Sequence, residues 1–421
     1  MAPSPVNGYL LPPCASAIMG FMRALCLLID RLHNGFLGAY GNGWVATPAF
    51  DELAAESLLC DFAYTAAPHL DRVYDGYWRG GHPIEPVGSR AARLPLAARV
   101  GAKAQTVLVT DDPAAPAFPG AEAFSEIVTL PPPAAKGAAN GLDETHLAGC
   151  FGALLEQLDP AKGPSMVWAH FRGLGAPWDA PYSYRERYVE PGDPAPPHDI
   201  AVPDLEIGPD DDPDRLWGLL QAYAGQVSLL DDCLGGLIHH LRPELDGGDF
   251  LLAVASPRGL SLGEHGLVGP GGALYGELVR VPLVVRFPRD RESALRTAAF
   301  VQPADLGATL AAWFGSGEGF GPHGHDLARL IEEEPWPRDR VLVAGDGEQG
   351  LRTPAWWFRN LDPPELFAMP DDRWEVNDVA DRCGAVVEAM STALARCEES
   401  VRHGEAVEAP PLDPLLVDSL G

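Results

Sequence analysis

The sequence has little positive charge and no long apolar run. Its 30 lysines and arginines are outnumbered by 59 acidic residues, which gives a formal net charge of −29. We therefore expect no nucleic-acid partner, because phosphate backbones require clustered positive charge. No segment reaches the ~18 uninterrupted apolar residues that a membrane span requires, so we expect no membrane partner.

Cysteine is also sparse and scattered. The seven cysteines are Cys14, Cys26, Cys60, Cys150, Cys233, Cys383 and Cys397. They form no CxxC pair, and no Cys/His cluster in the sequence suggests zinc. This usage is typical of reduced, mostly buried thiols, so we expect a cytoplasmic protein.

The first 22 residues carry no regular pattern. No basic residue precedes Arg23, so the sequence indicates no secretory signal. We predict residues 1–22 to be an extension, with Met19 or Met22 as alternatives to Met1 for the translation start.

Short apolar runs alternate with helical patterns over some 300 residues. Strands are predicted at 24–29, 105–110, 165–171, 250–255 and 283–287, and helices at 48–54, 94–100, 145–158, 215–241 and 306–314. Residues 173–213 are rich in proline, glycine and aspartate, which predicts a long surface excursion. The alternation predicts an α/β domain over 23–335 with a mainly parallel central sheet.

The pattern changes after Pro335. Four short strands are predicted at 341–344, 350–353, 356–359 and 365–368, and a helix at 385–402. We therefore expect a small C-terminal subdomain with an antiparallel sheet over 336–407, followed by a tail over 408–421.

Several segments resemble the sulfatases, a branch of the alkaline phosphatase superfamily. They are residues 27–32, 37–41, 47–54, 62–68, 168–188, 226–237, 262–267, 274–288, 352–356, 365–367 and 375–379. They are collinear with the family over roughly 23–400. The resemblance implies an alkaline-phosphatase-like α/β sandwich.

The resemblance also implies a chemistry that the residues do not support. Active members use calcium or magnesium on acidic ligands, and the metal polarises the sulfate ester. Asp30 matches the first ligand position, but Arg31 occupies the second, and Pro257 and Arg258 occupy the other pair. Arginine has no acceptor and cannot coordinate a cation. Asp30 is thus the only matching ligand, and we expect no metal and no other cofactor.

The nucleophile motif is missing as well. The family matures formylglycine in Cys/Ser-x-Pro-x-Arg, whereas alignment on Arg72 places Pro68 at the nucleophile and Leu70 at the proline. Gly175 occupies the position of a substrate-facing histidine. The chain's only lysines, Lys103, Lys136 and Lys162, match none of the family's. We therefore predict that formylglycine-dependent sulfate ester hydrolysis is lost.

Three functions remain open, so the sequence leaves enzyme status undecided. The first is a pseudoenzyme that binds an anionic ligand or a partner. The second is an active sulfuric or phosphoric ester hydrolase with a rebuilt metal site. The third is a structural or partner-binding protein with a closed cleft, whose protein partner the sequence does not identify.

Arg31, Arg72 and Arg258 are the candidate anion-binding residues. If the resemblance holds, they converge where metal and sulfate would lie, and guanidinium groups bind tetrahedral oxyanions through paired hydrogen bonds. A small sulfate- or phosphate-bearing molecule is then the expected ligand. The alternative is that these arginines pair internally with Asp30 and other acids.

Asp30, His69 and Asp71 are the candidates for a rebuilt metal site, with His82 as a further histidine nearby. Histidine and carboxylate together suit zinc or iron. Against this site, the segment lacks HxH or HxxxH spacing, and a solvated loop histidine is the simpler interpretation. Glu264 and His265 are interpreted as loop-holding framework residues.

Overall fold

The computed structural model describes residues 22–134, 136–288, 294–403 and 410–418. The predicted extension lies outside the described residues except for Met22, and the predicted tail is described only at 410–418. The strands are β1 (Arg23–Ile29), β2 (Leu58–Tyr64), β3 (Gln105–Thr110), β4 (Glu126–Thr129), β5 (Ser165–Phe171), β6 (Leu205–Glu206), β7 (Phe250–Ala255), β8 (Ser261–Leu262), β9 (Leu267–Gly269), β10 (Arg280–Val281), β11 (Leu283–Arg286), β12 (Leu295–Val301), β13 (Val341–Ala344), β14 (Gln349–Arg352), β15 (Trp356–Arg359) and β16 (Glu365–Ala368). The helices are α1 (Pro48–Ala55), α2 (Leu70–Arg79), α3 (Val87–Ala91), α4 (Leu96–Gly101), α5 (His146–Gln157), α6 (Tyr182–Glu186), α7 (Pro213–Gly247), α8 (Gly276–Val279), α9 (Pro303–Trp313), α10 (Ala328–Ile331) and α11 (Gly384–Arg402).

The central sheet has nine strands in the order β10-β2-β11-β7-β1-β5-β3-β4, with β12 paired to β2. Strands β7, β1, β5, β3 and β4 run parallel to one another, while β11 is antiparallel to both β7 and β2. The predicted α/β fold with a mainly parallel sheet is confirmed.

Alternate side chains of β1 build two separate cores. Leu25, Leu27 and Ile29 face one apolar cluster, which α1, α5 and α7 cover. Cys26 and Leu28 face a second cluster, which α2, α4 and α9 cover. Because both faces are buried, the strand is a continuous apolar run.

The small antiparallel sheet is also confirmed. Strands β13-β14-β15-β16 form a meander, and α11 packs on one of its faces. Its other face joins Tyr64, Leu274 and Phe300 of the preceding α/β part in one apolar cluster.

Two predicted elements differ in the structure. Helix α7 continues beyond residue 241 through Pro243 to Gly247, since Leu241 and Leu245 extend the same buried stripe. The 173–213 segment is not simply a surface excursion, because Trp178 and Arg185 are buried in it. The Arg185 guanidinium donates hydrogen bonds to the backbone carbonyls of Trp178, Pro197 and Asp199. Within the described ranges, no helix combines the length and apolarity needed to cross a membrane.

Candidate functional site

Polar residues gather at one edge of the central sheet, where its parallel strands end. Asp30 and Arg31 follow β1, Arg258 follows β7, Asp112 follows β3, and His170 lies near the end of β5. Open α/β sheets place ligand sites at this edge, outside the carboxyl ends of the strands.

An ion pair between Arg258 and Asp30 fills the middle of this edge. Arg258 Nε lies 3.0 Å from Asp30 Oδ1, and Nη2 lies 2.9 Å from Oδ2. The remaining nitrogen, Nη1, donates to the carbonyl oxygen of Pro68 at 3.0 Å. The guanidinium therefore bridges the Asp30 carboxylate after β1 and the Pro68 carbonyl before α2.

Arg31 is held beside this pair in an uncommon backbone conformation, with φ of 65°. Its amide donates to the Arg258 carbonyl at 3.0 Å, and its carbonyl accepts from the Tyr223 hydroxyl at 2.8 Å. Its Nη1 donates to Gly259 O at 2.9 Å. A left-handed arginine is strained, and these three contacts keep it in place.

Gly175 lies against the side chains of Arg31 and Asp30. A Cβ atom added at Gly175 would lie 3.0 Å from Arg31 Cγ and 3.4 Å from Asp30 Oδ2. The Arg31 side chain thus occupies space into which any side chain at position 175 would project. A side chain at position 175 would therefore require Arg31 to shift.

Burial and mutual pairing set the charges at this edge. Burial favours the neutral form of Asp30, yet the ion pair with Arg258, aided by Arg31, keeps its pKa below the ordinary value. Burial, partly offset by Asp30, lowers the pKa of Arg31 to about 10. The two guanidinium groups of Arg31 and Arg258 are balanced by the carboxylates of Asp30 and Asp112, which also acts on Arg258.

His170 lies at the same edge, between Tyr74 and Asp112. The Tyr74 hydroxyl lies 2.6 Å from His170 Nδ1, and His170 Nε2 lies 3.5 Å from Asp112 Oδ2. Both rings are fully buried, and burial raises the pKa of the Tyr74 hydroxyl. His170 is therefore a packed residue that orders the neighbouring strand ends.

The structure does not bring Arg72 to Arg258. Leu70 begins α2, so the backbone turns, and Arg72 pairs with Asp346 at 3.2 Å. His69 Nε2 contacts the same carboxylate at 2.6 Å, while Asp71 is exposed. The proposed convergence of three arginines is thus reduced to Arg31 and Arg258. Among the described residues, Asp30, His69 and Asp71 do not form a potential ligand group for one ion.

His82 and the pair Glu264–His265 have packing partners. His82 Nε2 lies 3.0 Å from Leu342 O, and burial lowers its pKa to about 4. The His265 ring stacks on Tyr275 and its Nδ1 lies 3.0 Å from Glu277. These contacts agree with a framework role.

A cavity of about 460 Å³ lies beside His265. Its lining includes Glu264, Glu365, Glu375 and Asp378 together with Tyr275 and Trp374. The carboxylates of Glu264, Glu365 and Asp378 disfavour an anionic ester in this cavity, while burial raises the pKa of Glu375 to about 8.

One cluster of ligand-type residues was not predicted from the sequence. Asp111 follows β3, and His146 and Cys150 lie on one face of α5; one ligand atom from each lies within 4.8 Å of the others. The spacing His-x3-Cys on a helix was the available signal. Nothing local linked it to Asp111, which lies 35 residues earlier.

The family's calcium or magnesium does not fit the residues at the sheet edge. Both Asp30 oxygens accept hydrogen bonds from Arg258, and the cations Arg31 and Arg258 stand where further ligands are required. A hard divalent cation needs about six or more oxygen ligands. The residues at this edge therefore do not form a calcium or magnesium site.

Comparison with known proteins agrees with this architecture. The Sulfatase family model matches residues 110–316. The multifunctional alkaline phosphatase superfamily protein PehA of Trinickia caryophylli is 31% identical over 94 residues, which are 22% of this chain and 18% of that protein. The uncharacterized sulfatase YidJ of Escherichia coli K12 is 26% identical over 196 residues, covering 41% of this chain and 37% of its own length. The matched parts thus span well under half of these curated relatives.

Solved structures match over nearly the whole fold. The phosphonate monoester hydrolase of Agrobacterium radiobacter superposes with a TM-score of 0.74 at 19% identity, covering 90% of this chain and 96% of that one. The corresponding hydrolase of Silicibacter pomeroyi gives 0.69 at 16% identity, covering 90% and 95%. At this identity the structural likeness establishes the fold, and the sequence matches place residues 110–316 within the sulfatase and alkaline phosphatase superfamily.

Proposed function

We propose that this chain is a non-hydrolysing member of the sulfatase family that acts by binding. The observation that carries the proposal is the position of Arg258. Its guanidinium holds both Asp30 oxygens and the Pro68 carbonyl, so it spans the space between metal and nucleophile. A side chain fixed by three hydrogen bonds replaces the two groups that the family's reaction needs.

The residues around it support the same conclusion. Pro68 has no nucleophilic atom, and Gly175 leaves no donor for a sulfate oxygen. The Arg31 side chain lies where a side chain at position 175 would project. Replacing Gly175 alone therefore does not rebuild a catalytic site. The rebuilt-hydrolase alternative has no comparable support, because its candidate ligands Asp30 and His69 are each paired elsewhere.

Hydrolysis and hard-metal content test the proposal together. Purified protein is assayed with aryl sulfate, phosphate and phosphonate monoesters in calcium, magnesium or manganese, with Asp30→Ala prepared identically as the background control. We expect equal residual rates in both proteins and far less than one equivalent of these metals. Turnover or stoichiometric hard metal that disappears in Asp30→Ala would overturn the proposal.

Maturation is checked on the same preparations. After co-expression with a formylglycine-generating enzyme, intact mass spectrometry should show every cysteine unmodified, because none lies in the required motif. An aldehyde at any cysteine or serine contradicts the loss of the nucleophile.

Weak anion binding is a second candidate function, which Arg31 favours, because its side chain donates to the Gly259 carbonyl while Arg258 is paired with Asp30. Sulfate or phosphate should then raise the melting temperature more than chloride at matched ionic strength, and more at higher concentration. Arg31→Met should abolish the difference. A flat response to sulfate in the unmodified protein favours a closed cleft that binds a protein partner.

A further inference from the structure

A potential metal-binding cluster lies at the end of β3, apart from the Asp30–Arg258 pair. Asp111 is the first residue after β3, and His146 opens α5 with Cys150 one turn later. Asp111 Oδ2 lies 2.8 Å from His146 Nε2, and Cys150 Sγ lies 3.5 Å from the same nitrogen. A carboxylate oxygen, an imidazole nitrogen and a thiol sulfur therefore lie within 4.8 Å of one another.

A simple ion pair does not account for this arrangement. His146 Nε2 can donate one proton to Asp111, and it then has no second proton for the thiol that lies beside the carboxylate. A tetrahedral zinc ion with bonds of about 2.0–2.3 Å holds its ligand atoms roughly 3–4 Å apart. The cluster needs only small side-chain movements to adopt that spacing.

Asp179 supplies an independent observation at the same place. Its Oδ2 accepts a hydrogen bond from the His146 backbone amide at 2.7 Å, while its Oδ1 is buried without a hydrogen-bond partner. The residue is 2% exposed. A buried carboxylate oxygen normally has a partner, so this one points to a group that binds beside His146.

We propose that Asp111, His146 and Cys150 bind one Zn²⁺ ion, with the Asp179 carboxylate nearby on the His146 backbone amide and outside the trio. One nitrogen, one sulfur and carboxylate oxygen form a donor set that suits zinc better than calcium or magnesium. Binding displaces the Cys150 thiol proton to solvent, so the site contains thiolate, neutral imidazole and carboxylate.

The surrounding backbone supports these ligands. Asp111 Oδ1 accepts from the Arg172 amide at 2.7 Å, which fixes the carboxylate and leaves Oδ2 for the ion. The His146 side chain is 16% exposed, whereas Asp111 and Cys150 are buried, so the ion enters past the imidazole. Bound zinc would tie α5 to the end of β3.

Zinc titration of the full chain, stripped with chelator under reducing conditions, tests the proposal. We expect about one equivalent of Zn²⁺ by elemental analysis after reconstitution and gel filtration. Cobalt should give a tetrahedral spectrum with a thiolate charge-transfer band. Cys150→Ser should lose that band and the stoichiometric zinc. Asp179→Asn should weaken zinc binding about 10–100-fold.

Cys233→Ser is the matched control, since Cys233 is a second buried thiol near Asp179 but lies outside the trio. It should retain both zinc and the cobalt band. Circular dichroism checks that the variants fold. The cobalt spectrum of the unmodified protein tests for a thiolate ligand without relying on any variant. Absence of a thiolate band there, or zinc retained in Cys150→Ser, would overturn the proposal. If Cys150→Ser loses zinc and Asp30→Ala retains it, the zinc site is separate from the Asp30–Arg258 pair. The result then supports the zinc site and does not bear on the non-hydrolysing proposal.

Discussion

Arg258 holds a buried carboxylate at the edge of the central sheet through two hydrogen bonds. The Asp30 side chain is only 5% exposed and its partner 20%, so the carboxylate depends on the guanidinium for its charge. A buried ion pair contributes little net stability, yet removing one partner is costly because the other charge stays buried and unpaired. The position is therefore a structural requirement of this chain.

We predict that Arg258→Ala lowers the free energy of unfolding by about 3–5 kcal/mol. Urea denaturation measures the change. Arg72→Ala is the control: its pair with Asp346 is exposed, so its cost should stay under about 1 kcal/mol. The double variant Asp30→Leu, Arg258→Met should recover most of the loss, since it removes both charges. A loss below about 1 kcal/mol in Arg258→Ala contradicts a locked pair.

The sequence predicted which residues lie at the site, but only part of their arrangement in space. Asp30 and Arg258 are 228 positions apart, and alignment to the family's two metal-ligand positions anticipated that they meet. Arg72 was expected beside them, but its pairing depends on where α2 begins and on Asp346, which comes from the distant C-terminal part. Periodicity does not encode such a contact.

Helix α1 shows how a distant element can supply a cap. Thr47 has the right sequence position, but its hydroxyl accepts from the Gly38 amide instead of capping the helix. Asp231 of α7 takes its place, and its two oxygens accept from the amides of Ala49 and Phe50 at 3.1 and 2.9 Å. Burial raises the Asp231 pKa to about 6.

We predict that Asp231→Ala destabilises the protein by about 1–2 kcal/mol, the usual cost of losing a helix N-terminal cap. Asp231→Asn should cost less, since it keeps one acceptor oxygen. Chemical denaturation compares the two. Equal losses in both variants would mean that the carboxylate charge, and not the cap, stabilises α1.

Element prediction worked where burial was complete. Strands β1, β5 and β7 are buried on both faces, so each is an apolar run that sequence reasoning located. Strands β4 and β12 were not identified because most of their residues are exposed or half-buried. Their strand structure comes from pairing with β3 and β2, which a local pattern does not reveal.

The C-terminal sheet and the α/β part are joined by hydrogen bonds, an ion pair and a shared apolar cluster. The amide of Ala344 donates to Ala66 O at 2.9 Å, and Arg338 Nη2 donates to Asp305 Oδ1 at 2.9 Å. Val341 and Trp357 share an apolar cluster with Tyr64. Sequence composition placed a boundary near Pro335, but it did not show that the two parts share a core.

Because the parts share this core, we predict a single cooperative unfolding transition in calorimetry, with equal calorimetric and van't Hoff enthalpies. Arg338→Ala provides the sharper test, since it leaves the buried Asp305 carboxylate without its guanidinium partner across the junction. If the junction couples the two parts, this variant lowers the one melting temperature, and the transition stays single. Asp346→Ala, which removes only the exposed contacts of His69 and Arg72, should leave the melting temperature nearly unchanged. A second transition in the unmodified protein, or a protease-resistant fragment that ends near Pro335, would show instead that the C-terminal sheet unfolds independently.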